Sequence, residues 1–231
     1  MLTMSVFPLF FSVATAAAST AVLALVGLVA ALAFTVTAFR ARDRALAQLE
    51  QEQARARTDA LTGALNRHAL DEALVSEQAR VDRGAKPTGI LFLDADRFRD
   101  VNNTYGYATG DALLVAVHDR LRSELRASDS VYRWGGEEFV VIAPEVGDEA
   151  SLAAGAERLR RIFADEPLEA GALLLPVTVS IGAALLENGR DALETVEQAG
   201  RLAKKAKEWR NTVLVQTADS PQEDGRTLTA T

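Results

Sequence analysis

Cysteine is absent from this 231-residue chain, and histidine occurs only as His68 and His118. These absences exclude a disulfide scaffold, a thiolate zinc site and a cysteine nucleophile. Any metal site must therefore be built largely from carboxylates. Positive charge is also in short supply, because 25 Lys and Arg face 32 Asp and Glu, for a formal net charge of −7. That balance argues against a nucleic-acid binder held by phosphate contacts, which needs a basic face. Charge of either sign is missing between Met1 and Phe39, although charged residues make up 25% of the whole. The length suits one ordinary domain with something added.

The uncharged stretch predicts a membrane anchor over residues 1–39, with the span at about 19–39. STAVLALVGLVAALAFTVTAF is 21 residues without an ionisable group, roughly 31 Å as a helix and so about one bilayer core thick. Arg40, Arg42 and Arg44 follow directly, the cluster that retains the next segment in the cytoplasm. A cleaved signal peptide is disfavoured by the missing basic n-region and the long apolar run. The apolar residues 1–18, interrupted by Pro8, leave an interfacial segment and a short second span both open. Residues 40–58 lack Gly and Pro and are rich in helix formers, predicting a helical linker. It is either a solvated spacer or a dimerisation helix, and its charge of +2 suits anionic lipid headgroups.

Residues 59–215 are expected to form the globular part, and 216–231 a disordered tail. Leu70, Ala73, Leu74 and Val81 predict a helix over 68–82. TGILFLD (88–94) reads as a buried strand ending in Asp94 and Asp96. A loop holding Asn102, Asn103, Gly106 and Gly110 then leads to a helix starting near Asp111, with Leu113, Val117, Leu121 and Leu125 along one stripe. VYRW (131–134) and EFVVIA (138–143) flank Gly135-Gly136, a two-residue hairpin signal. A helix over 148–165, a strand over 176–185, a helix over 191–208 and a strand over 212–215 complete an α+β, ferredoxin-like domain with a mostly antiparallel central sheet.

The chemistry lies in the carboxylates. Adjacent central strands bring Asp94 at one strand end to Glu137 and Glu138 beside the hairpin turn. Hard oxygen donors there suit Mg²⁺, which takes a few carboxylates plus substrate phosphates. Gly135 and Gly136 leave room for a ligand close to the backbone. Taken singly, Gly-Gly-Glu-Glu is a surface turn and Asp-Ala-Asp a capped strand end; it is their placement on neighbouring strands that points to a site. His118 reads as a boundary residue, His68 as a capping or packing one, and Trp134 and Trp209 as packing residues.

RWGGEEF (133–139) resembles the signature of the GGDEF family, the diguanylate cyclases, in its GGEEF form. The likeness extends to DALTGALNR at 59–67, LDADRFRDVNNTYGYATGD at 93–111, VTVSIG at 177–182 and AKEWRN at 206–211. It implies a palm-type fold in which two facing domains condense two GTP into cyclic di-GMP with two metal ions per site, Mg²⁺ or Mn²⁺. Asp94, Glu137 and the carbonyl of Ala95 would ligate metal. Asn102 and Asp111 would bind guanine, with Arg99, Lys207 and Arg210 on the triphosphate. Glu138 is the acid–base candidate near the 3′-hydroxyl. Arg126 and Asp129 match the family's RxxD inhibitory site for cyclic di-GMP, with Arg158 as an added contact, although an Arg and an Asp three apart also form an ordinary solvated pair.

Some positions depart from that pattern. Asn103 stands for the usual Asp, Tyr107 for His, Gly200 for Asp and Lys204 for Tyr, and the 207–211 turn is one residue short. The resemblance implies a homodimeric cyclase, and the uncharged run with the arginines after it predicts that this cyclase is anchored in a bacterial inner membrane, with its catalytic domain cytoplasmic. The alternatives are a weak GGDEF domain acting as a GTP or cyclic di-GMP receptor, and a different palm-type nucleotidyl cyclase or polymerase.

Overall fold

A computed structural model of the protein describes residues 28, 31–44 and 57–216. The chain divides into two units, 1–56 and 57–231. In the first, residues 31–44 are helical (α1), so the helix runs unbroken from apolar Phe39 into Arg40. Thr37 donates its hydroxyl to the Ala33 carbonyl at 2.9 Å, a back-bond that satisfies a polar group within an apolar helix. Among the described residues no helix is long and apolar enough to cross a membrane. Most of the expected anchor, linker residues 45–56 and tail residues 217–231 lie outside the described residues.

The second unit is built on strand β1 (Thr88–Ala95), whose eight residues are all buried. Burial on both faces is why this stretch is a continuous apolar run rather than an alternating one. It lies between β3 (Glu138–Ala143) and β6 (Val179–Leu186), antiparallel to each. β2 (Ser130–Gly135) and β7 (Val213–Val215) complete the order β2-β3-β1-β6-β7, with β7 parallel to β6. The first four strands have the connectivity of a ferredoxin-like sheet, as expected.

Successive residues of β1 serve opposite layers. Ile90 and Phe92 pack with α2 (Arg67–Asp82) and α6 (Ala192–Ala206). Leu91 and Leu93 pack with α4 (Tyr107–Glu124) and α5 (Glu149–Asp165). The caps agree with the sequence. Asn66 accepts from Ala69 N at the start of α2, Asp148 from Ser151 N at α5, and Asp191 from Glu194 N at α6.

Four local expectations are corrected. The presumed loop after β1 contains a helix, α3 (Phe98–Tyr105), and α4 starts at Tyr107 instead of Asp111. Gly106, at φ +85°, makes the break between them, and in sequence that glycine and polar neighbours resemble a loop. The hairpin turn is Gly136-Glu137, one residue later than predicted. Gly135 pairs with Glu138 and Arg133 with Phe139, so a bulge at Trp134 shifts the register. The strand expected at 176–185 begins at Val179. A small hairpin of β4 (Leu168–Ala170) and β5 (Leu173–Leu175) was not foreseen, because three-residue strands carry little periodicity.

The helix α6 lies close on the sheet because its facing residues are small. Ala199, Ala203 and Ala206 are fully or nearly fully buried, and Gly182 of β6 lies beneath them. A Cβ on Gly182 would stand 2.0 Å from the Ala199 carbonyl and 2.2 Å from Ala203 N, both backbone atoms that cannot rotate away. Gly182→Ala is therefore expected to lower stability by about 3 kcal/mol, the upper end for overpacking. Urea unfolding followed by circular dichroism measures it; a loss below about 0.5 kcal/mol would contradict this packing.

Candidate active site

The site starts from strand register. Asp94, the penultimate residue of β1, is the cross-strand partner of Glu138 on β3, and Glu137 precedes it in the turn. Three carboxylates are thereby gathered at one edge of the sheet. Into this cluster reaches Lys207, which caps the C-terminal end of α6. Its ammonium lies 2.7 Å from Asp94 Oδ2, 2.6 Å from Asp94 Oδ1 and 3.2 Å from Glu137 Oε1.

The charges in this cluster perturb one another. Burial pushes the Asp94 carboxyl up to about 6 from 3.8; it outweighs the hydrogen bond and attraction of Lys207, and repulsion from Glu137 and Glu138 adds a smaller push in the same direction. Burial, then Glu137, raises Glu138 as well. Lys207 is raised too: burial works against its charge, but hydrogen bonds and attraction from Asp94 and Glu137 prevail.

The donor set fits a small hard cation. Its oxygens are carboxylate, and a positively charged group already touches three of them, from Asp94 and Glu137. Among the described residues no three acidic or histidine side chains form a closed ligand set. The fit is instead to an open site, in which the Asp94 and Glu137 carboxylates, with the Ala95 carbonyl as the third expected donor, would leave positions free for further oxygen ligands.

Two supporting groups were missed in the sequence. Asp96 is buried and its carboxylate accepts from Thr178 Oγ1 (2.6 Å), Ser180 Oγ (2.8 Å) and the backbone N–H of Asn211 (2.8 Å). It pins the turn after Lys207, where Arg210 and Asn211 both adopt positive φ, at 56° and 44°. Two such non-glycine residues in succession persist only where the surroundings hold them. The second acid of Asp-Ala-Asp was the available signal. Arg133, beside the signature, donates to the Gly136 carbonyl at 2.8 Å and to Asp59 at 2.8 Å. Asp59 also accepts from Thr62 N and Oγ1; burial opposes its charge, but these donors draw its pKa below the ordinary value. The 59–67 block thus braces the turn that carries Glu137.

The other candidates fall in two places. Asn102 on α3 rests against Gly110 on α4, where a Cβ would come within 1.8 Å of its Oδ1. That oxygen is buried with no hydrogen-bond partner, and exposed Asp111 follows Gly110 directly. Arg99 and Arg210 are exposed and their guanidinium groups have no partner among the described residues. Gly135 ends β2, and Gly136, at φ +51°, faces open space.

Arg126, Asp129 and Arg158 line a separate cavity of about 300 Å³ with Leu125, Glu145 and Ser151. The ordinary Arg–Asp ion pair is not formed. Asp129 accepts from the backbone N–H of Arg126 at 3.1 Å and from Ser128 Oγ, leaving the Arg126 guanidinium unpaired. Arg158 is held by Glu124, at 3.1 Å to the carboxylate and 2.8 Å to the carbonyl.

His118 is a boundary residue, as expected, but His68 neither caps nor packs. Asn66 supplies that cap, and His68 is half exposed 3.5 Å from Glu72. Trp134 packs edge-on to Phe92 with Arg67 over its ring, 3.9 Å from the centroid. Trp209 is 60% exposed and packs little, a correction that follows from its place in the tight turn after α6.

Residues 56–212 match the family model described as "Diguanylate cyclase, GGDEF domain". The chain belongs to the GGDEF-domain family. It is 38% identical over 161 residues to diguanylate cyclase DgcP of Pseudomonas aeruginosa, covering 68% of this chain and 24% of DgcP. It is 35% identical over 159 residues to the cyclic di-GMP phosphodiesterase NbdA of the same organism, covering 68% of this chain and 20% of NbdA. The chain thus spans a quarter or less of these relatives. Among solved structures, the coiled coil and GGDEF domain of DgcB from Caulobacter crescentus, in complex with c-di-GMP, aligns with a TM-score of 0.65 and 26% identity, covering 80% of this chain and 98% of that one. The GGDEF signature here is Gly135-Gly136-Glu137-Glu138-Phe139, and its two acids stand opposite Asp94.

The raised Asp94 makes a signed prediction. The folded chain holds this proton more tightly than the unfolded one, whose value is the ordinary 3.8. The resulting stability is complete below 3.8 and is lost as pH rises through about 6. Between those values the unfolding temperature of the metal- and nucleotide-free protein should fall relative to that of Asp94→Asn. Parallel thermal-unfolding curves across that window would contradict the assignment.

Proposed function

We propose that this chain is a membrane-anchored diguanylate cyclase that condenses two GTP into cyclic di-GMP across a pair of GGDEF domains. The observation that carries this reading is the convergence of Asp94, Glu137 and Glu138 at one sheet edge with a cation in contact. Asp94 and Glu137, with the Ala95 carbonyl, would hold Mg²⁺ or Mn²⁺, two ions per site as the family resemblance implies. When bound, the metal neutralises phosphate charge and polarises the attacking 3′-oxygen.

The chain's own groups do the rest. Asp111 accepts from the guanine N1–H and exocyclic amine, a pair adenine cannot offer, and the unpaired Asn102 oxygen supplies a second acceptor. Arg99 and Arg210, free of other partners, take the triphosphate. Glu138, raised by burial and by Glu137, is the group poised to accept or return a proton near the 3′-hydroxyl. Each domain holds one GTP, so bond formation needs two chains face to face, and orientation within that pair supplies much of the acceleration. The apolar run 19–39, the arginines after it and the helix that crosses their boundary support anchoring in a bacterial inner membrane, catalytic domain inward.

A second reading is a catalytically weak receptor for GTP or cyclic di-GMP. Its specific support is the turn after Lys207, one residue short of the family pattern, together with a lysine that sits on the acids. One assay separates the two. The full chain with GTP and Mg²⁺ should yield cyclic di-GMP, and Glu137→Ala should lower the rate by about 100-fold or more, the several kcal/mol of metal stabilisation. A folded, dimeric protein that makes no product is the receptor.

The Arg126 cavity supports product inhibition. Arg126 offers an unpaired planar fork to a phosphate or to guanine O6 and N7. Arg126→Ala should weaken inhibition by cyclic di-GMP roughly tenfold or more, the loss of a charge-assisted hydrogen bond. Unchanged inhibition of initial rates would remove this site from the mechanism.

A further inference from the structure

We infer that Lys207 is an internal cation that occupies the Asp94–Glu137 pair until a nucleotide triphosphate draws it off. Divalent metal and triphosphate would then bind as a unit, and metal alone would be largely refused. The inference rests on the cyclase reading above and concerns what the site does before substrate arrives.

Lys207 is anchored at its backbone. Its N–H donates to the Ala203 carbonyl at 2.9 Å, and Ala203 and Ala206 are buried against the sheet. The turn beyond it is pinned by Asp96 through the Asn211 N–H. Only the side chain is free to move, and it is partly exposed, at 36%. A lysine stem has four rotatable bonds and an ammonium that donates to any three oxygens, so it can exchange one set of oxygens for another.

The ammonium and a metal ion cannot share this place. Nζ stands within 2.7 Å of both Asp94 oxygens and 3.2 Å from Glu137 Oε1. A metal ligated by the same oxygens at about 2.1 Å would sit nearly on top of Nζ, with strong repulsion between the two cations. Metal entry therefore requires the ammonium to leave. Without a nucleotide it has little reason to do so, because Asp94 and Glu137 already engage it through three oxygens. A triphosphate changes that, because its oxygens provide a new anionic partner just as its metal arrives to take over the carboxylates.

This arrangement also explains how three acids tolerate each other at one end of the sheet. Asp94 is 6% exposed, and Glu137 and Glu138 adjoin it. An uncompensated buried carboxylate is strongly unfavourable, and a tethered ammonium compensates it without any free ligand.

The test is direct Mn²⁺ binding to the full chain without nucleotide, read from the electron paramagnetic resonance signal of free Mn²⁺. Lys207→Gln should bind Mn²⁺ roughly tenfold or more tightly than the unsubstituted protein, the factor for a site otherwise closed at least nine-tenths of the time. Lys207→Arg, which keeps the cation, should bind as weakly as the unsubstituted protein. With a non-hydrolysable GTP analogue present, the advantage of Lys207→Gln should disappear or reverse. Equal or weaker binding by a folded Lys207→Gln, including no binding by either protein, overturns the inference. Adding Glu137→Gln to Lys207→Gln should abolish the gain. If tight binding survives that second change, the metal lies elsewhere, and it is the cyclase reading of this site that fails.

Discussion

The antiparallel pairing of Asp94 with Glu138 is the constraint on which the site depends. In a sheet the side-chain period is two, so a one-residue slip would send one acid to the opposite face. Register is held on both sides of β1, by β3 over six pairs and by β6 over eight. Burial of both faces holds it further, because Ile90 and Phe92 are committed to one helical layer and Leu91 and Leu93 to the other. The hydrophobic core thus aims the carboxylates without touching them. The bulge at Trp134 adds the last adjustment, placing Glu137 within the turn where its side chain can reach the same cation as Asp94.

A second constraint brings in the opposite charge. Helix α6 lies almost in backbone contact with β6, since only Gly182 fits beneath Ala199 and Ala203. That closeness fixes the height of the helix end and so the origin of Lys207, 113 residues from Asp94 in sequence. Asp96 continues the same logic across the next turn. Its three accepted hydrogen bonds join the end of β1, the start of β6 and the backbone of Asn211. Asp94 at the end of β1 and Asp96 just beyond it are two residues apart, yet the first is held by a lysine side chain while the second is satisfied by three donors of the fold.

The features legible in the sequence were those with strong local signals. TGILFLD announces a strand buried on both faces, the paired glycines announce a hairpin, and together they place Asp94 beside Glu137 and Glu138 before any coordinates. Features set by contacts distant in sequence were not legible. Helix α3 is short and has no fully buried residue, so its composition resembles that of a loop. The one-residue displacement of the hairpin turn comes from a bulge, which depends on how Trp134 packs with Phe92 and Arg67. Asp96 could be seen as a second acid, but its partners lie 82, 84 and 115 residues away. The exposure of Trp209 follows from a turn whose two positive-φ residues are neither glycine nor, at Arg210, asparagine.

The charge distribution gains a meaning from this geometry. Residues 59–215 carry a formal charge of −7, the whole of the chain's net charge, although an anionic nucleotide is the ligand that their family binds. A general basic field would attract any polyanion, and it is absent. The positive groups that matter are few and placed: Arg99 and Arg210 exposed without partners, and Lys207 seated on the acids. An acidic surface discourages nucleic acids and other polyanions, whereas a site that releases its own cation only to a metal-bearing triphosphate selects by chemistry instead of by charge. Selectivity and the acidic balance are then two sides of one design, in which attraction is supplied locally and only when substrate and metal arrive together.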